Sequence, residues 1–338
     1  MPRPEPLLRV AVVGVGHLGA IHARILSHSP QAELACVVDR DSARAAALAA
    51  ELGCAALCDP SELPAGVCAA VVAVPTVAHA EVAVPLLERG IACLVEKPLA
   101  ASLAQADRIL AAAERGRTQL AVGHVERFQP GVRRLRELGL VPRFIECHRL
   151  APFSFRSTDV GVVHDLMIHD LDLVLALVGS PVASFDAAGG AILTEAEDIA
   201  SVRLVFENGA RANVTASRAS LQPMRRFRMF SPEAYVSLDL HKNYGLMVRK
   251  GPRWEQGREA LRTLSPTELA ARGDLASQGL IELVELELSG SERPLQAELS
   301  SFLSAVAEGR QSEVTGLDGR RALALADAIA ARIREQSW

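Results

Sequence analysis

Lysine is scarce in this sequence, in which only three of the 36 basic residues are lysine and the rest are arginine. Long apolar runs are also absent, since none reaches the roughly 20 residues that a membrane-spanning helix needs. The net charge of -4 gives no reason to expect nucleic acid or an anionic membrane as a partner. The N-terminal stretch MPRPEPLLRV lacks the apolar segment of a signal peptide, so we expect a cytoplasmic protein.

The six cysteines include no CxxC pair, which argues against a zinc site and against a disulfide framework. Several of them lie within apolar, strand-like runs such as LACVVD and IACLVE. We therefore predict that the cysteines are reduced residues of the hydrophobic core.

The first 126 residues alternate apolar runs with helical patterns. The apolar runs are LRVAVVG, AELACVVD, VCAAVVAVP, IACLVEKP and QLAVGH, and helices are predicted near 17–28, 42–52, 77–89 and 103–115. This alternation is typical of a parallel sheet covered by helices on both faces. Because 338 residues are enough for two domains, we predict a doubly wound α/β domain over 1–126 and a second domain over 127–338.

The turn after the first apolar run, GVGHLG, places Gly14, Gly16 and Gly19 at G-x-G-x-x-G spacing. In dinucleotide-binding domains these glycines make the tight turn, admit the pyrophosphate and let the helix pack on the strand. Asp39 ends the second run, where an acidic side chain binds the adenosine ribose hydroxyls and disfavours a 2′-phosphate. The adjacent Arg40 can accommodate that phosphate. The pattern predicts NAD, with NADP as the alternative.

Ligands of such sheets bind at the carboxyl ends of the strands, which adds the ends of VCAAVVAVP and IACLVEKP to the cofactor site. Lys97 falls there, at the mouth of the nicotinamide pocket. Lysine offers a compact point donor, whereas arginine is a wide fork that stays protonated. We predict Lys97 to be an ammonium donor beside the reacting carbon. The predicted cofactor-binding residues are Gly14, Gly16, His17, Leu18, Gly19, Asp39, Arg40, Val74, Pro75, Thr76, His79, Glu96 and Lys97.

A polar stripe marks the otherwise apolar segment 161–179, GVVHDLMIHDLDLVLALVG. At 100° per residue, Asp165, His169 and Asp172 fall within about 60° of arc. Buried carboxylates and imidazoles must be paired or face a wet cavity. Either Asp165 and His169 form a structural hydrogen bond in the core, or Asp165 orients His169 as a general base. No metal site is predicted, because further ligands at fixed spacing are missing.

With GVGHLG, Asp39, EKP at 96–98 and the D-x-x-x-H spacing in this order, the sequence resembles the glucose-fructose oxidoreductase and inositol dehydrogenase (Gfo/Idh/MocA) family. The resemblance implies an N-terminal Rossmann domain and a C-terminal α+β domain with a large, open, mostly antiparallel sheet that mediates dimers or tetramers. It also implies that Lys97, Asp165 and His169 are catalytic, with His169 or Lys97 taking the proton of a secondary hydroxyl.

GHVERFQP and HDLMIHDLDLVL resemble a narrower subgroup that acts on UDP-N-acetylglucosamine. Its 3-keto product passes to a partner aminotransferase in lipid A biosynthesis. The alternatives are a dehydrogenase of a free sugar or cyclitol and a non-catalytic, cofactor-bound regulatory protein. The substrate-binding residues that we expect on this reading are Lys97, Arg127, Arg156, Asp165, His169 and Arg226. For Arg127 the alternative is an ion pair with Glu126.

The pattern of the remaining residues, from about 180 onward, predicts a sheet and two helices. SVRLVFENGARANVTASRAS is typical of two strands joined by Asn208-Gly209, and MRRFRMFSPEAYVSLDL continues the pattern. The candidates for a fork that holds a diphosphate, unless they are solvated strand residues, are Arg149, Arg156, Arg225, Arg226 and Arg228. Residues 251–278 show no strand pattern and are interpreted as an excursion. Two amphipathic helices follow residue 292, and packing on the first domain is an open alternative for them.

Overall fold

The structure is a computed structural model that describes residues 7–154, 160–265, 267–268, 276, 278–288 and 292–336. The chain divides into two compact units. The first consists of Met1–Phe128 and Glu292–Ala328, and the second of Gln129–Ser291 and Ile329–Trp338. Within the described ranges, no helix is long and apolar enough to cross a membrane.

A six-stranded sheet forms the centre of the first unit. Its strands are β1 (Leu8–Val13), β2 (Ala32–Val38), β3 (Ala55–Leu57), β4 (Ala69–Val72), β5 (Ala92–Glu96) and β6 (Leu120–Gly123). Their order is β3-β2-β1-β4-β5-β6, and every neighbouring pair is parallel. The predicted doubly wound parallel sheet is confirmed, because apolar runs of this kind belong to strands buried on both faces.

Helices cover both faces of this sheet: α1 (His17–Leu26), α2 (Ser42–Leu52), α3 (His79–Glu88) and α4 (Leu103–Gly116). Alternate residues of β1 belong to two different hydrophobic cores, since successive side chains of a strand point to opposite faces of the sheet. Ala11 and Val13 belong to one core, and Val10 and Val12 to the other. Asp41 caps α2, where its carboxylate accepts a hydrogen bond from the Arg44 backbone N–H at 3.1 Å.

The second unit is built on an eight-stranded sheet. Its strands are β7 (Phe144–Leu150), β8 (Val182–Gly190), β9 (Ile199–Phe206), β10 (Arg211–Ser217), β11 (Met224–Phe230), β12 (Ala234–Asp239), β13 (Tyr244–Lys250) and β14 (Ile281–Glu285). In the order β14-β13-β12-β11-β7-β10-β9-β8, only the neighbours β7 and β10 are parallel. The mostly antiparallel sheet and the hairpin at Asn208-Gly209 are therefore confirmed; Gly209 has the positive φ of +83° that such a turn favours.

In the described part of the second unit, the sheet is accompanied by the helices α5 (Pro130–Glu137), α6 (Ile168–Val178) and α7 (Trp254–Thr263). The interpretation of 251–278 as an excursion missed α7; residues 266, 269–275 and 277 lie outside the described residues. Gly257 lowers the helix propensity of this polar stretch, but the space a side chain would need there is filled by Leu280. The two C-terminal helices are confirmed as α8 (Pro294–Glu308) and α9 (Gly316–Glu335).

The six cysteines are free thiols, as predicted, but they are not all core residues. Cys36, Cys93 and Cys147 are buried in strands, and burial raises the pKa of the Cys36 thiol to about 11. Cys58 is exposed, because it follows the short edge strand β3. The prediction of a buried cysteine is wrong at this position.

Candidate active site

The glycine-rich turn between β1 and α1 has its observed shape because glycine has no side chain. Gly14 has a φ of +84°, and a Cβ there would lie 2.7 Å from the Val74 backbone nitrogen. A Cβ on Gly19 would lie 1.8 Å from the carbonyl oxygen of Gly14. At Gly16, by contrast, a Cβ would meet nothing within 4 Å. Two of the glycines therefore serve the packing of the turn, whereas Gly16 leaves bare backbone beside open space.

We expect Gly16→Ala and Gly19→Ala to fail in different ways. The Gly19 methyl group has to displace backbone, so this variant should lose about 1–3 kcal/mol of unfolding free energy. Gly16→Ala should keep its thermal midpoint but bind NADH at least about tenfold more weakly, since its methyl group fills the space that a pyrophosphate needs. Thermal melts and NADH fluorescence titrations measure the two effects. Unchanged NADH affinity in Gly16→Ala would contradict this function of the turn.

An acidic corner follows β2. The Asp39 carboxylate accepts hydrogen bonds from the backbone N–H groups of Val15 and Asp41, both at 2.9 Å. Arg44, on the first turn of α2, reaches both carboxylate oxygens of Asp39 with Nη1 at 3.2 and 3.3 Å. Arg40 lies 3.9 Å from Glu81, with 87% of its side chain exposed. The acidic side chain is thus held by the glycine-rich turn and by one arginine.

The end of β5 carries Glu96 and Lys97. Glu96 is 8% exposed, and one carboxylate oxygen lies 2.7 Å from Nε2 of His22, which is fully buried in α1. Its other oxygen accepts a hydrogen bond from the Lys97 backbone N–H at 3.2 Å. A Cβ on Gly123 would lie within 3.2 Å of three carboxyl atoms of Glu96, so the glycine makes room for the carboxylate.

His79 joins the loops that follow β4 and β5. Its Nε2 lies 3.0 Å from the carbonyl oxygen of Val74, and its Nδ1 lies 3.0 Å from that of Pro98. The side chain is buried, and burial lowers the pKa of His79 below its ordinary value, against the opposing effect of the backbone hydrogen bonds. Because both ring nitrogens lie close to backbone carbonyl oxygens, His79 holds the segment that carries Lys97. Contact between His79 and a cofactor stays a prediction.

The lowered pKa of His79 predicts a pH effect on stability. As the pH falls below about 6.5, the unfolded chain takes up a proton at this residue before the folded chain does, so the unfolding free energy decreases. We expect the thermal midpoint of His79→Gln to fall less between pH 7.5 and 5.5 than that of the wild type. An equal decrease in both proteins would show that His79 does not contribute to this dependence.

One cleft of about 870 Å³ collects most of the predicted cofactor residues in the first unit. Eleven of the thirteen line it; His17 and Gly19 do not. The volume is in the range of small-molecule sites. With the open space at Gly16 and the held carboxylate of Asp39, these residues fit a dinucleotide. The lining residues named by the prediction are Gly14, Gly16, Leu18, Asp39, Arg40, Val74, Pro75, Thr76, His79, Glu96 and Lys97.

In the second unit, the segment predicted as one helix is a π-helical turn, Val163–Met167, continued by α6. Asp165 lies in the π turn and His169 is the second residue of α6; both are half-buried. Asp172 is 1% exposed and, like His169, belongs to α6. A π turn has more residues per turn than the 3.6 assumed, so the predicted angle between Asp165 and His169 does not apply. Such turns are frequent at functional sites.

The start of this segment is held by a buried network. The Glu197 carboxylate accepts a hydrogen bond from the Val163 backbone N–H at 3.3 Å and occupies the space where a Gly161 side chain would lie. Arg218 binds Asp198 at 2.8 Å and the carbonyl oxygen of Val160 at 2.7 Å. Burial alone would raise the pKa of the Asp198 carboxyl, but hydrogen bonds from three backbone N–H groups bring it well below its ordinary value.

The two parts of the chain match one family of enzymes. A model described as an oxidoreductase family with an NAD-binding Rossmann fold, Gfo/Idh/MocA, matches residues 8–124. A model of the C-terminal domain of the same family matches residues 104–236. The chain belongs to the Gfo/Idh/MocA family. The resemblance predicted from the motifs is confirmed.

Two relatives that match this Gfo/Idh/MocA chain over nearly its whole length are named dehydrogenases. It is 37% identical to UDP-N-acetylglucosamine 3-dehydrogenase of Acidithiobacillus ferrooxidans, over 94% of this chain and 95% of the relative. A solved structure of that enzyme from the same organism superposes with a TM-score of 0.85 at 34% identity, covering 98% and 99% of the two chains. Inositol 2-dehydrogenase of Rhizobium meliloti is 26% identical over 97% and 98%. The Gfo/Idh/MocA protein is therefore a dehydrogenase.

The arginines expected to bind substrate lie in different surroundings. Arg127 is 7% exposed and ion-paired at 3.7 Å with Asp318, a partner other than the Glu126 that the sequence alternative proposed. Arg226 is exposed on β11, opposite His148 and Asp239 in the strand register. Arg156 lies outside the described residues. Substrate binding by these three residues stays a prediction.

Two other arginine candidates have structural partners in this Gfo/Idh/MocA chain. Arg149 is buried and binds both carboxylate oxygens of Asp170 at 2.8 Å, which is a bidentate pair inside the unit. Arg228 binds Glu146 at 2.6 Å and the Tyr235 hydroxyl at 3.1 Å. The structure therefore corrects the suggestion that Arg149 is part of a diphosphate fork.

Sequence reasoning missed His22, Arg44 and the Glu197 network. His22 follows Gly19 by three residues on a largely apolar helix, and an isolated polar residue on such a face is the only signal that sequence offers. Arg44 lies three residues after the capping Asp41, a spacing at which helical side chains meet. Glu197 gives no local signal, because its partners precede it by more than thirty residues.

Proposed function

We propose that this Gfo/Idh/MocA dehydrogenase oxidises the 3-hydroxyl of UDP-N-acetylglucosamine with NAD and forms the 3-keto sugar. The observation that carries the proposal is the 37% identity over 94% of the chain to an enzyme of that name. The presence of Lys97, Asp165 and His169 supports turnover, because a non-catalytic binding protein does not need a set of acid and base groups.

Residues of the chain itself bind the cofactor and transfer the proton in this proposal. The turn at Gly14, Gly16 and Gly19 holds the pyrophosphate on backbone N–H groups at the start of α1, and Asp39 binds the adenosine ribose. NAD, when bound, supplies the nicotinamide ring that accepts a hydride. The three carboxylates of Asp39, Asp59 and Glu81 outnumber the two guanidinium groups at the β2 and β3 end of the cleft, which supports NAD over NADP.

His169 takes the proton of the sugar hydroxyl in this proposal, and Asp165 orients its imidazole. Lys97 donates a hydrogen bond to the oxygen that becomes the carbonyl, a task for a point donor. The π turn at Val163–Met167 and the Glu197 network support the positions of Asp165 and His169 by holding the start of their segment. Lys97 as the base is the alternative that the family offers.

Two further proposals concern partners. A ketone at C3 of the amino sugar is a substrate for transamination, so we propose that a pyridoxal-phosphate aminotransferase consumes the product. Membership of the family also supports assembly into a dimer or tetramer.

Exposed Arg226 and the Arg156 position are the candidates for holding the substrate diphosphate, since arginine binds phosphate with two parallel hydrogen bonds.

The proposal is tested by absorbance at 340 nm with NAD or NADP. The substrates are UDP-N-acetylglucosamine, free N-acetylglucosamine and myo-inositol, the last because an inositol 2-dehydrogenase is also related. An aminotransferase with glutamate removes ketone that accumulates unfavourably. We expect NADH only with the UDP sugar. Turnover of myo-inositol alone would replace the proposed substrate with a cyclitol.

A further inference from the structure

The adenosine end of the cleft contains one arginine whose position gives it a specific task. Arg44 is set between two carboxylates: its Nη1 lies 3.2 Å from Asp39, and its Nη2 lies 3.1 Å from Asp41. Asp39 has 10% of its side chain exposed, whereas Arg44 and Asp41 are about half exposed. The pair between Arg44 and Asp39 therefore faces the cleft, and the pair with Asp41 lies toward solvent.

We infer that Arg44 forms a latent site for a 2′-phosphate that Asp39 keeps closed, so that this pair, and not Arg40, sets the choice between NAD and NADP. This inference rests on the proposed NAD-dependent function. The carboxylate of Asp39 has two effects in the folded protein. It accepts the hydrogen bonds that a 2′-hydroxyl donates. It also accepts the hydrogen bonds of Arg44 Nη1, the group that a 2′-phosphate would need as a donor.

The geometry around Arg44 explains why removal of the Asp39 charge is enough to open this site. Asp41 continues to hold Nη2, and its other oxygen caps the Arg44 backbone N–H at 3.1 Å. The guanidinium therefore stays in place while Nη1 becomes available. A phosphate next to ribose C2′ then finds a positioned charge-assisted donor instead of a carboxylate.

Arg40 is the competing candidate, because it directly follows Asp39 and is the residue that the sequence indicates. Its side chain is 87% exposed and lies near Glu81 at 3.9 Å. A side chain so exposed has many conformations to lose on binding a phosphate. Arg44 is held by Asp41, which remains when the Asp39 charge is removed, so it can bind at a smaller entropic cost.

The test measures the dissociation constants of NADH and NADPH by nicotinamide fluorescence in the full chain, without sugar. The variants are Asp39→Ser, the double variants D39S/R44Q and D39S/R40Q, and the wild type. Asp39→Ser should bind NADH about tenfold more weakly and NADPH about tenfold more tightly than the wild type. D39S/R44Q should lose the gain for NADPH, and D39S/R40Q should keep most of it.

Loss of the gain in D39S/R40Q but not in D39S/R44Q would overturn the inference and assign the phosphate to Arg40. No gain for NADPH in Asp39→Ser would also overturn it. Should the serine variant fold poorly, Asp39→Asn keeps an oxygen for the Val15 N–H and tests the same loss of charge. Wild-type protein that binds neither nucleotide would contradict the proposed function itself, and this result differs from all the others.

Discussion

His169→Ala is expected to lower kcat by roughly 10²- to 10⁴-fold while leaving the dissociation constant of NADH unchanged. General acid and base groups contribute rate enhancements of this size. His169 is not among the residues that line the nucleotide cleft, so we expect the substitution to remove proton transfer and to leave nucleotide binding unchanged. Steady-state kinetics with the UDP sugar and NADH titration measure the two quantities.

His241→Ala is the matched control, because His241 lies exposed in the turn between β12 and β13 and has no task in the proposal. It should keep kcat within about twofold of the wild type. If His169→Ala retains kcat near that of the control, the assigned role of His169 is wrong. A drop in kcat that follows a loss of NADH binding would indicate a structural effect and would equally contradict the assignment.

Lys97→Arg, although it preserves the positive charge, should lower kcat/KM by about 10²-fold or more. The half-buried Lys97 lies between Glu96 and Pro98 at the end of β5, on a segment that His79 holds from the other side. A planar guanidinium is wider than an ammonium and presents its donors in a fork. It therefore cannot donate a hydrogen bond from the same point, even though the net charge of the cleft is unchanged.

The chain offers a matched control in Lys242→Arg, because Lys242 is exposed in the β12–β13 turn. Kinetics of the two variants under identical conditions separate the geometry of the donor from general effects of lysine replacement. We expect Lys242→Arg to behave as the wild type. Wild-type kcat/KM in Lys97→Arg would show that the lysine at this position reflects chance in a chain with three lysines.

Much of the first unit could be predicted, because its signals are local. Each apolar run is a strand buried on both faces, and the glycine spacing reports contacts within a few residues of the turn. Gly19 illustrates this, since the atom that excludes its side chain is the carbonyl oxygen of Gly14. The eleven cleft residues followed from the glycine fingerprint with its acidic partner and from the rule that ligands bind at the carboxyl ends of parallel strands.

The parts that sequence could not provide depend on contacts between distant residues. His22 and Glu96 are 74 positions apart, and nothing near either residue indicates the other. The π turn depends in the same way on Glu197, which caps Val163 from another part of the chain. A wheel drawn at 100° per residue assumes a regular helix, so it does not describe the angle between Asp165, in the π turn, and His169, in α6.

The central claim is that the chain removes hydride from C3 of a UDP sugar. Mass spectrometry of the NADH formed from UDP-N-acetylglucosamine deuterated at C3 tests it most directly, with the C4-deuterated sugar as the control. The account predicts that NADH gains one mass unit from the C3-labelled sugar and none from the C4-labelled sugar. NADH without deuterium from the C3-labelled substrate would contradict the proposed reaction.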